Sequence, residues 1–226
     1  ACALSLDTYR TYAHKFPLPL VEANEARFNL SEYYLQSNEH AKRRFWLNKM
    51  VQAQISIMQK TPELSTPRSV YLASMSNMVF AQDADTAFGN IKLTQPLAKS
   101  LKKKQSALSK AITEYERVIS FGSADYVSSA NYRLANLYST LAEDLMTSSR
   151  PKGLSPLELS QYDLLLEEQA YPFEETAIGL HEKNIALVRV GLYDDWVKNS
   201  YTALKNTNPG RYNKPESLSK VTIDDL

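Results

Sequence analysis

The 226-residue chain has 26 Lys and Arg against 25 Asp and Glu, so its net charge of +1 supplies no overall field that would draw it to nucleic acid or to an anionic membrane. Only 6 Gly and 10 Pro argue against a turn-rich all-β fold, and its apolar runs are far shorter than the roughly 20 residues of a transmembrane helix. A single cysteine, Cys2, excludes a disulfide framework and a multi-cysteine zinc site, and three histidines argue against a His-rich metal centre.

The two ends of the chain lack strong signals. The amino terminus has neither a positively charged leader nor an apolar run of signal-peptide length, so we expect a cytosolic protein or a processed or excised piece of a longer one. At the other end, Asn206–Gly210 has the composition of a helix stop. The polar residues 211–226 are expected to form a tail.

Apolar residues recur every three or four positions through most of the chain, and this spacing predicts helices. The first three helices are expected at Val21–Leu35, His40–Gln59 and Arg68–Phe88. Pro62 and Pro67 separate the second helix from the third.

The longest predicted helix follows Pro96, and its apolar stripe extends from Leu97 to Ile119. Gly122 separates it from the next helix, which is expected at Ala124–Met146.

Three further helices are expected in the carboxy-terminal part. The segment Ser155–Glu158 supplies a cap, a proline and an early acid in the order that begins a helix, and this helix is expected to reach Ala170. Pro172 is placed in the first turn of the second helix, which ends near Gly191. The third is expected at Tyr193–Lys205.

Two acidic pairs, Glu167–Glu168 and Glu174–Glu175, are expected in the last and first turns of the helices that meet near Pro172. Arg150 and Lys152 are their expected ion-pair partners. Adjacent residues on a helix point about 100° apart, so neither pair is suited to shared acid–base catalysis.

The predicted elements add up to an all-α protein of about eight or nine helices. Short loops make neighbouring helices antiparallel, and helix pairs recur at roughly 30 to 40 residues, which is typical of repeats that stack on one another. We therefore predict one antiparallel helix-hairpin solenoid over residues 1–210, followed by the polar tail at 211–226.

A local pattern on two neighbouring helices resembles the tetratricopeptide repeat (TPR). Ala111 and Tyr115 stand at the small and aromatic positions of the second helix of a repeat. Leu134, Ala135 and Tyr138 stand at the Leu, small and Tyr positions of the first helix of the next repeat. The resemblance implies that the small residues let two helices approach closely while an aromatic ring fills the space beside them.

A longer resemblance covers roughly Gly89 to Glu216. Its segments include Ser149–Leu154, Tyr162–Glu175, His181–Asn184, Tyr193–Ser200 and Pro209–Lys214. They look like the carboxy-terminal part of large TPR proteins of Gram-negative bacteria, which are similar to envelope components found beside Tol/Exb-type motors and gliding-motility machineries. The resemblance implies a periplasmic or envelope-associated scaffold that acts with an envelope motor complex, and the residues leave a cytoplasmic location open.

One polar stripe could carry chemistry. Glu174, His181 and Asn184, at spacings of seven and three, share one helix face and could line a ligand or metal pocket. The interpretation that we favour is a hydrogen-bonded histidine that locks two helices. His181–Glu182 does not start a zinc-protease motif, because Ile185 occupies the position of the second histidine.

The longest predicted helix also has a basic stretch. No aromatic residues alternate with these lysines to stack on nucleic-acid bases, so we expect a solvated helix face and no nucleic-acid partner. The lysines are Lys99, Lys102, Lys103, Lys104 and Lys110.

No glycine-rich phosphate loop, nucleophile elbow or complete catalytic set is present in the sequence, which predicts a non-enzymatic protein without a cofactor or metal. We expect a scaffold that binds a protein or peptide through tyrosines with an apolar body and a polar tip. The candidates are Tyr33, Tyr34, Tyr132, Tyr138 and Tyr162. Two alternatives stay open: a helical small-ligand or metal-binding protein or enzyme that uses the polar stripe, and a structural cap on a longer repeat array.

Overall fold

Helix is the only regular secondary structure in residues 2–213, the part of the chain that the computed structural model describes. This range holds nine α-helices and two short 3-10 helices, at Pro62–Leu64 and Ala186–Val190. The α-helices are α1 (Cys2–Lys15), α2 (Leu20–Gln36), α3 (His40–Lys60), α4 (Pro67–Gly89), α5 (Leu97–Phe121), α6 (Ala124–Met146), α7 (Pro156–Ile185), α8 (Asp195–Thr207) and α9 (Pro209–Tyr212). The all-α prediction is confirmed, with α1 as an addition that apolar spacing did not predict.

Local side-chain chemistry sets where helices begin. The Thr66 hydroxyl accepts a hydrogen bond from the Ser69 amide at 3.1 Å, and the Ser69 hydroxyl accepts one from the Thr66 amide at 3.1 Å. Ser155 and Glu158 form the same reciprocal pair at the start of α7, and these bonds lower the pKa of the Glu158 carboxyl. A proline follows each cap, so the backbone is already in helical conformation there.

The predicted helix break at Pro172 is wrong, because α7 continues through this residue for its full 30 residues. Buried side chains on both sides, among them Leu166, Ala170 and Ala177, line one face of α7, and this face packs extensively on α6. Pro172 itself lies on the exposed side. A continuous apolar contact thus outweighs the hydrogen bond that a proline removes.

The uninterrupted helix also corrects the expected charge pattern. Glu167–Glu168 and Glu174–Glu175 lie in the middle of α7 and therefore at neither a last nor a first turn. Arg150 donates to Asp163 at 2.6 Å, and neither it nor Lys152 forms an ion pair with the acidic pairs within the described residues.

Packing follows chain order and adds a second set of contacts. Each helix from α1 to α9 packs on its neighbour in sequence, and α2 also contacts α4, α4 contacts α6, and α6 contacts α8. We call α2, α4, α6 and α8 the even-helix row. The largest group of buried apolar side chains lies among α4, α5, α6 and α7. Five alanines there or beside it have no exposed surface: Ala73, Ala81, Ala111, Ala130 and Ala135.

The carboxy-terminal segment is attached to α7 as far as it is described. Arg211 forms an ion pair with Glu182 at 2.8 Å, and the Tyr212 hydroxyl donates to the same carboxylate at 2.6 Å. The rest of the predicted tail, residues 214–226, lies outside the described residues. Within residues 2–213, each helix is too short or too polar to cross a bilayer.

The prediction that all five lysines of α5 lie on a solvated face is wrong for Lys104, which is buried. Only 1% of its surface is exposed, whereas Lys99, Lys102, Lys103 and Lys110 are exposed as expected. Its ammonium group forms an ion pair with Asp144 of α6 and lies 4.2 Å from the Phe88 ring centroid.

The same ammonium group caps the carboxy-terminal end of α4. It donates to the carbonyl of Ile91 at 2.8 Å and to that of Phe88 at 3.4 Å. The last carbonyls of a helix have no partner within the helix, and a buried cation there satisfies them and the negative end of the helix dipole. Lys104 therefore joins α5 to the end of α4 and to α6.

Replacing Lys104→Ala should lower the free energy of unfolding by about 3 kcal/mol, because it leaves the half-buried Asp144 carboxylate and two carbonyls without their donor. Urea unfolding measures this loss. Lys102→Ala, on the exposed side of the same helix, should change it by no more than about 0.5 kcal/mol. Equal losses in both variants would show that Lys104 is solvated.

The substitution Pro172→Ala should raise the free energy of unfolding by about 1 to 3 kcal/mol, since alanine restores a backbone donor inside a continuous helix. Thermal and urea unfolding measure the change, with Glu168→Ala one turn earlier as the control. If α7 were two helices with Pro172 in the first turn of the second, the same substitution would leave stability unchanged or reduce it.

Candidate functional site

Two members of the predicted polar stripe meet a serine between α7 and α8. His181 Nδ1 lies 3.1 Å from Ser200 Oγ, and Asn184 Nδ2 donates to the same oxygen at 2.9 Å. Asn184 Nδ2 also lies 3.3 Å from the carbonyl oxygen of Trp196. All three polar side chains are buried. The geometry is that of a hydrogen-bonded histidine that joins two helices.

One aromatic ring, that of Tyr132, lies beside this histidine and also beside Trp196. The Tyr132 ring centroid lies 5.6 Å from that of His181 and 5.5 Å from that of Trp196, and the Arg133 guanidinium lies 5.2 Å from the Trp196 ring. Burial lowers the pKa of His181 from its ordinary value of 6.5 to about 4. The imidazole is therefore neutral at physiological pH.

Glu174 takes no part in the hydrogen bonds that His181 and Asn184 form with Ser200. It is exposed, and it borders an open cleft of about 410 Å³ between α6 and α7 that His181 and Glu143 also border. Asn184 is turned into the contact with α8 and does not border this cleft. Among the side chains that the structure describes, those of residues 6–213, no group of three or more His, Cys, Asp or Glu is placed to hold a metal ion.

The residues of the TPR-like pattern lie on the neighbouring helices α5 and α6. Ala111, Tyr115, Leu134 and Ala135 are all buried. The Tyr115 hydroxyl donates to Asp85 of α4 at 2.9 Å, and burial together with this carboxylate raises the pKa of the phenol. Tyr138 is half-buried, with its ring stacked 6.5 Å from that of Phe173 of α7.

The five candidate partner-binding tyrosines do not gather on one surface. Tyr33 is 40% exposed, while Tyr34 beside it is 4% exposed and packs against α1 and α3. Tyr132 faces α7 and α8, and Tyr138 faces α7. The Tyr162 hydroxyl of α7 lies 3.4 Å from Gln95.

A different set of side chains connects the even-helix row. Arg68 of α4 donates to the Glu25 carboxylate of α2 at 2.5 and 3.0 Å, and its guanidinium lies 5.5 Å from the rings of Phe28 and Tyr71. The Tyr71 ring lies 5.5 Å from the ring of Tyr126 on α6. These five residues form what we call the aromatic ladder, which extends across three helices.

The rings of the aromatic ladder are half-buried, and Arg68 is exposed. Burial raises the pKa of Tyr126, so its phenol stays neutral and can donate a hydrogen bond. No sequence motif predicted a site at these residues. A usable signal was present, since Tyr71, Tyr126 and Trp196 all lie in the first two turns of alternate helices.

The first half of α7 has an uncovered apolar side. α8 has 13 residues against 30 in α7, and its contacts involve the second half of α7 through His181 and Asn184. Leucines and a tyrosine between residues 157 and 171 are left between 56% and 69% exposed. They are Leu157, Leu164, Leu165 and Tyr171.

No protein family matches the chain, and no curated protein or solved structure is significantly similar to it. The function is therefore inferred from the geometry of the helices themselves. Within the described residues, the polar groups at His181 join two helices, whereas the aromatic ladder and the uncovered side of α7 place half-buried and exposed groups at the surface.

The neutral buried His181 makes stability depend on pH. Because its pKa is about 4 in the folded chain and 6.5 in the unfolded chain, the unfolded state binds the proton first as the pH falls. Stability should be full above pH 6.5 and should fall by about 2 kcal/mol by pH 5 from this group alone. Urea unfolding at pH 7 and pH 5 measures the loss. Between pH 7 and pH 5, the free energy of unfolding of His181→Gln should fall by about 2 kcal/mol less than that of the wild-type chain. An equal fall in both proteins would contradict the burial of a neutral imidazole.

Proposed function

We propose that this chain is a non-enzymatic protein-binding scaffold of the TPR-like type, in which consecutive helix pairs stack into a solenoid. The observation that carries the proposal is the aromatic ladder, through which α2, α4 and α6 are linked by Glu25, Arg68 and the rings beside them. A partner protein or peptide binds along this even-helix row.

Packing supports the TPR-like part of the proposal. Small and aromatic residues of the pattern, Ala111, Tyr115 and Ala135, have no exposed surface. Each helix contacts the next one, and members of the even-helix row also contact one another. Stacked hairpins produce both kinds of contact, because each hairpin buries its apolar side only against its neighbour.

The exposure and the chemistry of the ladder residues support the proposal that the even-helix row binds a partner. Tyrosine and arginine are enriched at protein interfaces because a ring or guanidinium gives a large contact area together with directional hydrogen bonds. Tyr71 and Tyr126 are half-buried, so each ring is fixed in position before a partner arrives. Rings that are already ordered lose little conformational freedom on binding.

The resemblance of residues 89–216 to large TPR proteins supports a place in the cell envelope of a Gram-negative bacterium. On this proposal the chain is the carboxy-terminal module of a periplasmic or envelope-associated scaffold. Its partner is another envelope protein, and an envelope motor complex is the partner class that the resemblance favours.

Affinity capture from a Gram-negative envelope extract, with the chain as bait, tests the proposal. The double variant Tyr71→Ala/Tyr126→Ala should bind a saturable partner at least about tenfold more weakly than the wild-type chain. The reason is that it removes ring contact area that the partner would bury. Tyr138→Ala is the matched control, since Tyr138 is also half-buried but packs on Phe173, and it should retain the partner. Thermal unfolding confirms that each variant is folded.

Two results would contradict this function. One is equal capture by the wild-type chain and the ladder variant, and the other is enzymatic turnover of a substrate that disappears in His181→Ala.

A further inference from the structure

A groove that the proposed function does not use lies between α4 and α5. Its apolar floor is formed by Ala84 and Ala87 of α4, Ile91 beyond the end of α4, and Ala107 of α5. The groove has a volume of about 540 Å³ and is open to solvent. Ala87 comes 16 residues after Tyr71, which puts the two about 160° apart around α4. The groove therefore lies on the opposite side of α4 from the aromatic ladder.

Four lysines form the rim of the groove: Lys99, Lys102, Lys103 and Lys110. All four side chains are exposed. None of their ammonium groups has a carboxylate within ion-pair distance in the described part of the chain. The buried Lys104, by contrast, has its partner in Asp144.

The acidic groups that border the same surface are already paired. Asp83 forms an ion pair with Arg44, and Glu114 forms one with Arg117 at 2.6 Å. They therefore leave the rim lysines without a neutralising charge. Because the whole chain has a net charge of only +1, this positive region is local and is not part of a general basic character.

The dimensions of the groove match a helix. Lys99 and Lys110 are eleven residues apart on α5, a distance of about 16 Å, which is three turns of helix. Three of the floor residues are alanines, whose small side chains leave space for bulky apolar side chains of a partner. Acidic side chains of the same partner can then reach the lysines of the rim. None of the residues that line the groove is aromatic, so it offers no ring on which a nucleic-acid base could stack.

We infer that the groove between α4 and α5 binds an acidic amphipathic helix of a partner protein, with its leucine-type side chains on the alanine floor and its carboxylates on the four lysines. This site is separate from the even-helix row. The experiment that follows therefore succeeds or fails independently of the ladder variants.

Fluorescence anisotropy with synthetic peptides tests the inference on the full 226-residue chain. The probe is a labelled helical peptide with Leu at every third or fourth position and Glu at the flanking positions. The variant Lys99→Glu/Lys103→Glu/Lys110→Glu should weaken its binding at least about tenfold, because attraction at the rim becomes repulsion. Binding by the wild-type chain should also weaken as salt is raised, since the rim is exposed.

Two controls separate the groove from charge in general. Lys152→Glu/Lys183→Glu/Lys205→Glu makes the same change in net charge at exposed lysines elsewhere and should alter the affinity less than about twofold. Ala87→Trp fills the floor, so it should weaken the leucine-containing peptide several-fold while leaving the weak binding of a Glu-only peptide unchanged. The substituted residues are exposed, and circular dichroism checks the fold of each variant.

Several outcomes would overturn the inference. They are equal binding of a scrambled peptide of the same composition, equal loss in both triple variants, and no effect of Ala87→Trp. Tighter binding of single-stranded DNA or of phosphatidylglycerol vesicles through the same lysines would assign the groove to another class of ligand. A shift in the oligomeric state of the chain in the groove variant would assign it to a second copy.

Discussion

Close approach of neighbouring helices is the constraint on which the rest of the structure depends. A helix with one apolar side cannot bury it alone, and it gains most of its stability from packing on another helix. Alanines with no exposed surface, such as Ala73 of α4, Ala111 of α5 and Ala135 of α6, lie on the packed sides of these helices. A larger side chain at these positions would push the helices apart. The exposed surfaces of the helices are the sides that this packing leaves uncovered.

Some buried polar side chains follow the same logic, because they join helices that the apolar contacts have already brought together. Lys104 reaches from α5 to the carbonyls at the end of α4 and to Asp144 of α6. His181 and Asn184 reach from α7 to Ser200 of α8. A buried polar group without partners is costly, so these contacts favour one particular arrangement of the helices.

Sequence patterns could predict most helices but only part of the candidate site. Capped starts at Thr66 and Ser155 and stripes of apolar residues depend on neighbours in sequence, so they are visible without a structure. The break expected at Pro172 failed because packing on α6 outweighs a local preference. The aromatic ladder could not be predicted as a unit, since Glu25 and Arg68 are 43 residues apart and meet only when α2 and α4 lie side by side.

The most direct test of the account is the adjacency of helices in the even-helix row. In a Cys2→Ser background, the pair Glu25→Cys/Arg68→Cys places thiols on α2 and α4 where an ion pair now joins them. A short bifunctional thiol reagent should cross-link this pair rapidly and within one molecule. The pair Glu25→Cys/Asp195→Cys, on the first and last members of the row, should stay unlinked. Cross-linking of the second pair, or failure of the first in the folded chain, would contradict a row of stacked hairpins.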